Sequence, residues 1–335
     1  MVPANTGRHL RRLPHHRGLR GRSSRATATS SPSPACKFGP SGLLSTWHHQ
    51  YSDLQTRSEF CATCHNAHNR NGLEIKSTFT EWKASVYAEK GIQCQDCHMN
   101  EKGFLEKGLA DFASGKSASM TVGHAPQRDR IYAHHFPGAR TQTQMEGALK
   151  LKIEPPATPV RAGTSVEIGL LVDNVLTGHK MPSGSAELRY MWIEFQSGGT
   201  DGRSLDLVPL SAPESKGYDV SSARPAPEDP LGTSVPAGRR VYRAVFTDRK
   251  GRMTGSLLEA ARVLFDNRLN AAEVRREAYT LAVPHEAKGD LALTASLYYA
   301  PYPLSFAKRL DLPAAKPVLV ARTGIQLRVE AAKAP

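Results

Sequence analysis

From about residue 148 onward, apolar and polar side chains alternate. Leu149, Leu151 and Ile153 are interleaved with lysines, and Val166, Ile168, Leu170 and Val172 repeat the spacing. Leu291, Leu293, Ala295 and Leu297 follow the same rule, as do Ile325, Leu327 and Val329. A period of two places one set of side chains on one face of a strand. Further strands are expected over 188–195, 241–246 and 278–283, with Pro, Gly, Ser and Asp clusters between them. Short strands separated by turn residues predict an antiparallel, immunoglobulin-like β-sandwich over 148–335. One short helix is expected at 303–310, ending before Pro313.

Residues 41–147 follow a different pattern, helical where it is clear. Thr78-Phe79-Thr80-Glu81 reads as a capping box, and Phe79, Trp82, Val86 and Tyr87 recur at helical spacing. Gly91 supplies a stop. The expectation is one helix of about three turns, a Gly turn, and then Cys94. Residues 1–40 lack either period and are expected to be a disordered basic tail. The fold class is therefore α+β, a small helical and loop domain followed by a sandwich.

Length and charge refine this picture. The 335 residues suffice for two domains with separate cores. No apolar run is long enough to span a bilayer, so no transmembrane segment is expected. The net charge of +13 raises the question of nucleic acid. The first 40 residues, however, hold eight basic side chains and no acidic ones, leaving 36 basic against 31 acidic over the rest. No basic patch interleaved with aromatics is visible, and no nucleic-acid partner is expected. The tail has a leader's charge without its apolar stretch. A mis-assigned start or an upstream frameshift is the expected cause, with an Arg- and Ser-rich transit peptide as the alternative.

The chemistry lies in the cysteines. Four of the five form Cys61-Ala62-Thr63-Cys64-His65 and Cys94-Gln95-Asp96-Cys97-His98. CxxCH is the signature of covalent haem attachment. Two thiols add across the porphyrin vinyl groups, and the adjacent imidazole reaches the iron. Cys61, Cys64, Cys94 and Cys97 are the expected thioether residues, and His65 and His98 the proximal ligands, giving two haems c. Paired CxxC also binds zinc, but at a usual separation of about 15–20 residues and without a His after each pair. Here 29 residues intervene. Cys36 reads as an ordinary loop or buried thiol, and His68, close to His65, as a solvated loop residue. Candidates for the opposite face of each iron are His48 and His49, His134 and His135, and His179, with His124 behind them.

Longer stretches around these residues resemble exported multihaem c-type cytochromes. Phe60-Cys61-Ala62-Thr63-Cys64-His65-Asn66 is similar to their FCGxCHN. The run Thr80-Glu81-Trp82-Lys83-Ala84-Ser85-Val86-Tyr87 leads into Gly91-Ile92-Gln93-Cys94 much as in that group. His134-His135-Phe136-Pro137-Gly138 resembles HxFPG, Thr177-Gly178-His179-Lys180-Met181-Pro182-Ser183-Gly184 resembles GHxxPTG, and Asp266-Asn267-Arg268-Leu269 resembles DxRI. The likeness spans roughly residues 36–310. It implies bis-histidine haems, with His134 or His135, His48 or His49, and His179 as distal ligands. It also implies one-electron transfer outside the cytoplasm, in the periplasm or at the cell surface, with other cytochromes or a reductase as partners. Relatives commonly carry more haem motifs, so a truncated member and a genuine two-haem member both fit. Two alternatives follow from the same residues. One is a multihaem oxidoreductase subunit with an open iron, acting on a nitrogen or sulfur oxyanion. The other is a haem-bearing surface binding module. No GxSxG, HExxH, P-loop or dinucleotide fingerprint is present.

Overall fold

The structure, a computed structural model, describes residues 38–39, 50–100, 113–116, 127–134, 136, 138, 141–198 and 204–331. It is mostly β with few, short helices. Of the residues singled out above, Cys36, His48, His49, His124, His135 and the tail fall outside the described residues.

Four helices carry or flank the two motifs: α1 (Ser58–His65), α2 (Thr78–Lys83), α3 (Val86–Glu89) and α4 (Cys94–His98). The single helix expected over this region is broken into α2 and α3 at Ser85. Its hydroxyl donates to Trp82 O at 2.6 Å and accepts from Tyr87 N at 3.3 Å. A serine that bonds to nearby backbone competes with continued helix and starts a new one instead. The expected capping box also differs. Ser77 is the N-cap of α2, and Glu81 takes the Ser77 hydroxyl at 2.7 Å, leaving its carboxylate free for partners elsewhere. The reciprocal contact of a capping box occurs at α4, where Gln93 N donates to Asp96 Oδ2 at 2.7 Å.

After α5 (Gln142–Met145), the chain forms long antiparallel strands. They are β1 (Lys150–Glu154), β2 (Ser165–Asp173), β3 (Tyr190–Gly198), β4 (Arg240–Tyr242), β5 (Ala244–Thr247), β6 (Arg262–Asp266), β7 (Val274–Ala282), β8 (Gly289–Ala300) and β9 (Val318–Glu330). One sheet runs Val208–Pro209, β7, β2, β1. The other runs Ser204–Asp206, β3, β8, β9, Val160–Arg161, with β4 also paired to β3. A smaller sheet joins β5 to β6 and to Met253–Thr254. α6 (Leu304–Arg309) agrees with the expected helix.

The alternation is what builds the core. Ile168, Leu170 and Val172 of β2 point inward beside Tyr279 and Leu281 of β7. They meet Met191, Ile193 and Phe195 of β3 and Leu291, Leu293, Ala295 and Leu297 of β8 in one hydrophobic cluster. Phe195 and Tyr279 make an edge-on contact between the sheets at 5.0 Å. Met145, Ala148 and Leu149 belong to the same cluster, so the chain enters the sheets through a packed segment. Strand β3 is buried on both faces. Tyr190 and Trp192 face a second cluster with Leu231, Val235 and Val241. The tyrosines of β8 serve packing: Tyr299 is in the core and Tyr298 stacks on Trp192 at 5.4 Å.

Candidate functional site

The two CxxCH helices are stitched together at their N-termini. Ser58, with no exposed surface, donates from N and Oγ to Gln93 Oε1 at 2.8 and 2.9 Å. Its Oγ accepts Cys94 N at 2.9 Å. Between the second pair of cysteines, Gln95 and Asp96 are both buried. Gln95 Nε2 donates to Gln55 O and Arg57 O at 2.9 and 2.8 Å. Asp96 Oδ1 accepts Arg130 NH1 at 2.7 Å and Tyr132 OH at 2.8 Å. Residues i and i+3 share a helix face, so Cys94 and Cys97 are turned one way while Gln95 and Asp96 anchor the other. Sequence reading treated those two positions as spacers; burial and bonding make them the anchor.

The stitch brings the motifs into contact. The Cys61 and Cys94 thiols share a hydrogen bond. Donation by Cys61, and then by Ser58, pulls Cys94 down to about 7, while holding the shared proton and being buried push Cys61 up. Cys61, Cys64, Cys94 and Cys97 are all free of disulfides.

Three imidazoles converge here. The His98 and His179 rings lie 6.2 Å apart, centroid to centroid, with planes 13° from parallel. His65 is close enough for its charge to disfavour protonation of His98, and His179 acts likewise on both. Burial lowers the pKa of all three, that of His98 to about 4. His65 and His98 nevertheless have exposed surface. Neither makes a hydrogen bond among the described residues. His179 Nδ1 lies 2.8 Å from Lys180 O. A carbonyl only accepts, so Nδ1 carries the proton and Nε2 keeps its lone pair. That is the tautomer of a metal-ligating histidine oriented by its other nitrogen.

The loop after β2 is what delivers His179. Asn174, fully buried, donates from Nδ2 to His179 O, Leu269 O and Asn270 O at 3.1, 3.2 and 2.8 Å. Met181 and Leu269 exchange backbone hydrogen bonds at 2.8 and 3.0 Å. Gly178 packs so closely on Trp82 and Tyr87 that a Cβ would sit 3.3 Å from the indole. Glu81 of α2 accepts Lys180 N at 3.2 Å and Ser183 Oγ at 2.8 Å, and pairs with Arg268 at 3.1 Å. Arg268 also grips Asp266 through Nε and NH2, both at 2.9 Å, and Asp266 takes Lys180 Nζ at 3.0 Å. Three sequence motifs, around Glu81, His179 and Arg268, thus meet in one polar network. The DxRI-like stretch thus supplies an ion pair of its own, Asp266 with Arg268, and nothing local in the sequence points to Glu81 as its further partner.

The remaining candidates are placed unevenly. His134 is exposed. Its neighbour Ala133 donates from N to Met99 O at 2.9 Å, which brings this segment to the end of α4. His68 is exposed, as expected, but lies in the short strand Ala67–His68 paired with Glu74–Lys76 and not in a loop.

The donor set suits haem. Each CxxC pair brings one imidazole, and burial disfavours the charged form of each. Among the described residues no group of three or more His, Cys, Asp or Glu is arranged to hold a bare metal ion. Before residue 142, Trp82 is the one buried hydrophobic side chain among the described residues, whereas Tyr51, Phe60, Val86 and Phe136 are exposed. Helices with so little apolar core of their own fit a large flat apolar group as their packing centre.

No family model and no curated protein matches the chain. Among solved structures, it is similar to a penta-heme cytochrome c552 from Thermochromatium tepidum. Identity is 17%, the TM-score is 0.54, and the match covers 84% of this chain and 60% of that one. The likeness is one of fold. At 84% it extends beyond the sheets of residues 148–335 into the motif-bearing region. This chain spans 60% of that cytochrome's length. The ASH/PapD-like domain of human CEP192 (13% identity, 62% of this chain and 99% of that one, TM-score 0.20) and AggA of Escherichia coli (6%, 55% and 94%, 0.25) are too remote for argument. Among the described residues no helix is long and apolar enough to cross a membrane.

Proposed function

We propose that this chain is a c-type cytochrome that carries two covalent haems and passes single electrons between exported redox proteins. Cys61 and Cys64 would hold one haem, with His65 as proximal ligand; Cys94 and Cys97 would hold the other, with His98. The bound groups supply the one-electron iron couple. The protein supplies attachment, axial ligands and exclusion of water.

The observation that carries this reading is the His98–His179 pair. Two imidazoles on opposite faces of one iron, with metal–nitrogen bonds of about 2.0 Å, hold their ring centroids about 6 Å apart. The observed separation of 6.2 Å is consistent with that spacing. His179 would then be the distal ligand opposite His98, projected by an immunoglobulin-like sandwich of residues 148–335. The iron at His65 would draw its distal ligand from His48 or His49, or from His134 or His135. An iron filled on both faces suits electron transfer rather than substrate binding, which favours a carrier over an oxyanion reductase. Redox proteins in the periplasm or at the cell surface are the partners this implies.

Pyridine haemochrome spectroscopy on the denatured holoprotein tests the reading. Two haems per chain that survive denaturation are expected, with low-spin ferric signals in the native state. A chain purified with zinc, or without thioether-linked haem, refutes it. A high-spin haem that binds nitrite or sulfite would shift the reading to the reductase.

A further inference from the structure

We infer that an open cationic cleft beside the first CxxCH motif is the docking surface for a carboxylate-rich face of a redox partner protein. This rests on the electron-transfer reading above. The cleft, of about 510 Å³, lies between two hairpins that sequence analysis passed over and is lined by Arg70, Asn71, Asp248, Arg249, Lys250, Arg252 and Glu259.

One wall is the turn between Ala67–His68 and Glu74–Lys76, which begins directly after His65. It is clamped to the sheets. Asn69 Nδ2 donates to Leu257 O and Ala260 O, both at 2.7 Å, and Asn71 Nδ2 to Ala260 O at 2.8 Å. The opposite wall is the turn Asp248–Arg252 after β5. Its carboxylate is consumed internally. Asp248 Oδ1 accepts Lys250 N and Arg252 N at 2.8 and 3.0 Å, and Oδ2 accepts Arg252 Nε and NH2 at 3.0 and 2.8 Å. Arg70, Arg249 and Lys250 are left exposed with no carboxylate partner among the described residues. Glu259 alone opposes them on the cleft wall.

Three features select a protein face over a small anion. The cationic heads are exposed on turn tips, where a small anion would be screened. Leu258, 69% exposed, stands beside them. An exposed apolar anchor next to arginines is the composition of a protein interface. Opposite charge across such a surface speeds encounter and fixes orientation. Cys64 and His65, both exposed, lie at the end of α1 just before the first wall. A partner seated on the cleft would therefore contact the hairpin that leads directly out of the first motif.

The test uses the reduced holoprotein and two one-electron oxidants of opposite charge. Ferricyanide takes one electron from the ferrous haem and becomes ferrocyanide; tris(phenanthroline)cobalt(III) takes one and becomes cobalt(II). At an ionic strength of about 10 mM, R249E/K250E should slow ferricyanide about tenfold, speed the cobalt complex, and flatten the salt dependence. K288E/R328E makes the same change in net charge at the far end of β8 and β9 and should leave the ratio of the two rates near that of the parent. Poly-L-glutamate should inhibit ferricyanide oxidation of the parent protein, and free glutamate at equal carboxylate concentration should not. Equal effects of the two double variants, or equal inhibition by free glutamate, overturn the docking surface while leaving a haem-loaded cytochrome. A chain that carries no haem overturns both readings.

Discussion

Glu81 and Arg268 form an ion pair, Oε1 to NH1 at 3.1 Å, in which both side chains are almost fully buried. One comes from α2, between the two CxxCH motifs, the other from the turn after β6. Their bond ties the motif-bearing helices to the loop that carries His179. Burial alone would raise Glu81's pKa, but Arg268, Ser77 and Ser183 outweigh it and hold the carboxyl below its ordinary value. Asp266 is held down likewise, by Arg268 and Lys180 against burial.

Breaking this pair from the arginine side should be severe. Arg268→Ala leaves the buried Glu81 carboxylate without a cation and Asp266 with Lys180 alone, and losing one partner of a buried pair costs about 3–5 kcal/mol. Glu81→Gln keeps the shape and several hydrogen bonds and should cost less. Urea denaturation of the holoproteins measures both. An Arg268→Ala midpoint equal to the parent's would mean that the network does not hold the loop.

The same carboxylates set an acid limit. A group whose pKa is depressed on folding contributes stability that is complete above its unfolded value and is lost as pH falls through its folded value. The ordinary values of Glu81 and Asp266 are 4.5 and 3.8. Denaturation midpoints should begin to fall below about pH 6.5, where the buried imidazoles protonate first in the unfolded chain, and the two carboxylates should add their own loss below about 4.5. Glu81→Gln should have a shallower acid slope than the parent. Identical slopes would assign the acid sensitivity elsewhere.

Ser58 offers a test of the stitch between the motif helices. Ser58→Ala leaves Cys94 N and Gln93 Oε1 each short of a partner in a buried setting. An unsatisfied buried group costs about 1–3 kcal/mol. Thermal melting should register that loss while both haems remain attached, because the thiols are untouched. A melting temperature unchanged from the parent would show that the helices are held together by other contacts.

Much of this arrangement was legible in the sequence, but not its assembly. The alternation in β1, β2, β8 and β9 identified the strands because one face of each is buried in a common core. The CxxCH residues declared themselves by spacing. The helix over 78–90 was misjudged because periodicity does not register a single serine: Ser85 satisfies backbone groups on both sides and splits it. Likewise Thr78 and Glu81 have the spacing of a capping box, but Arg268 claims the carboxylate from far along the chain. Gln95 and Asp96 looked like spacers because their partners, Arg57 and Tyr132, are not near neighbours in sequence. His179 was one of several candidate histidines. Its place beside His98 depends on Asn174 and the turn at Leu269, a tertiary contact that no local pattern encodes.

On the proposed function, His179 decides how the haem held by His98 would work. Replacing it with alanine removes an imidazole and none of the four thiols, so the haem count should stay at two. The iron held by His98 should lose its sixth ligand and turn high-spin, seen in ferric electron paramagnetic resonance as a new signal at low field. Added imidazole should restore the low-spin form, since the cavity left by the side chain has its shape. His179→Met should keep that haem six-coordinate and raise its potential relative to the parent, because a thioether replaces an imidazole on the iron. Asn174→Asp should perturb the same haem without touching a ligand. A carboxylate cannot donate to the carbonyls of His179, Leu269 and Asn270, and it sets negative charge against all three. If His179→Ala leaves both haems low-spin and their potentials unmoved, His179 is not an axial ligand, and its closeness to His98 is only packing.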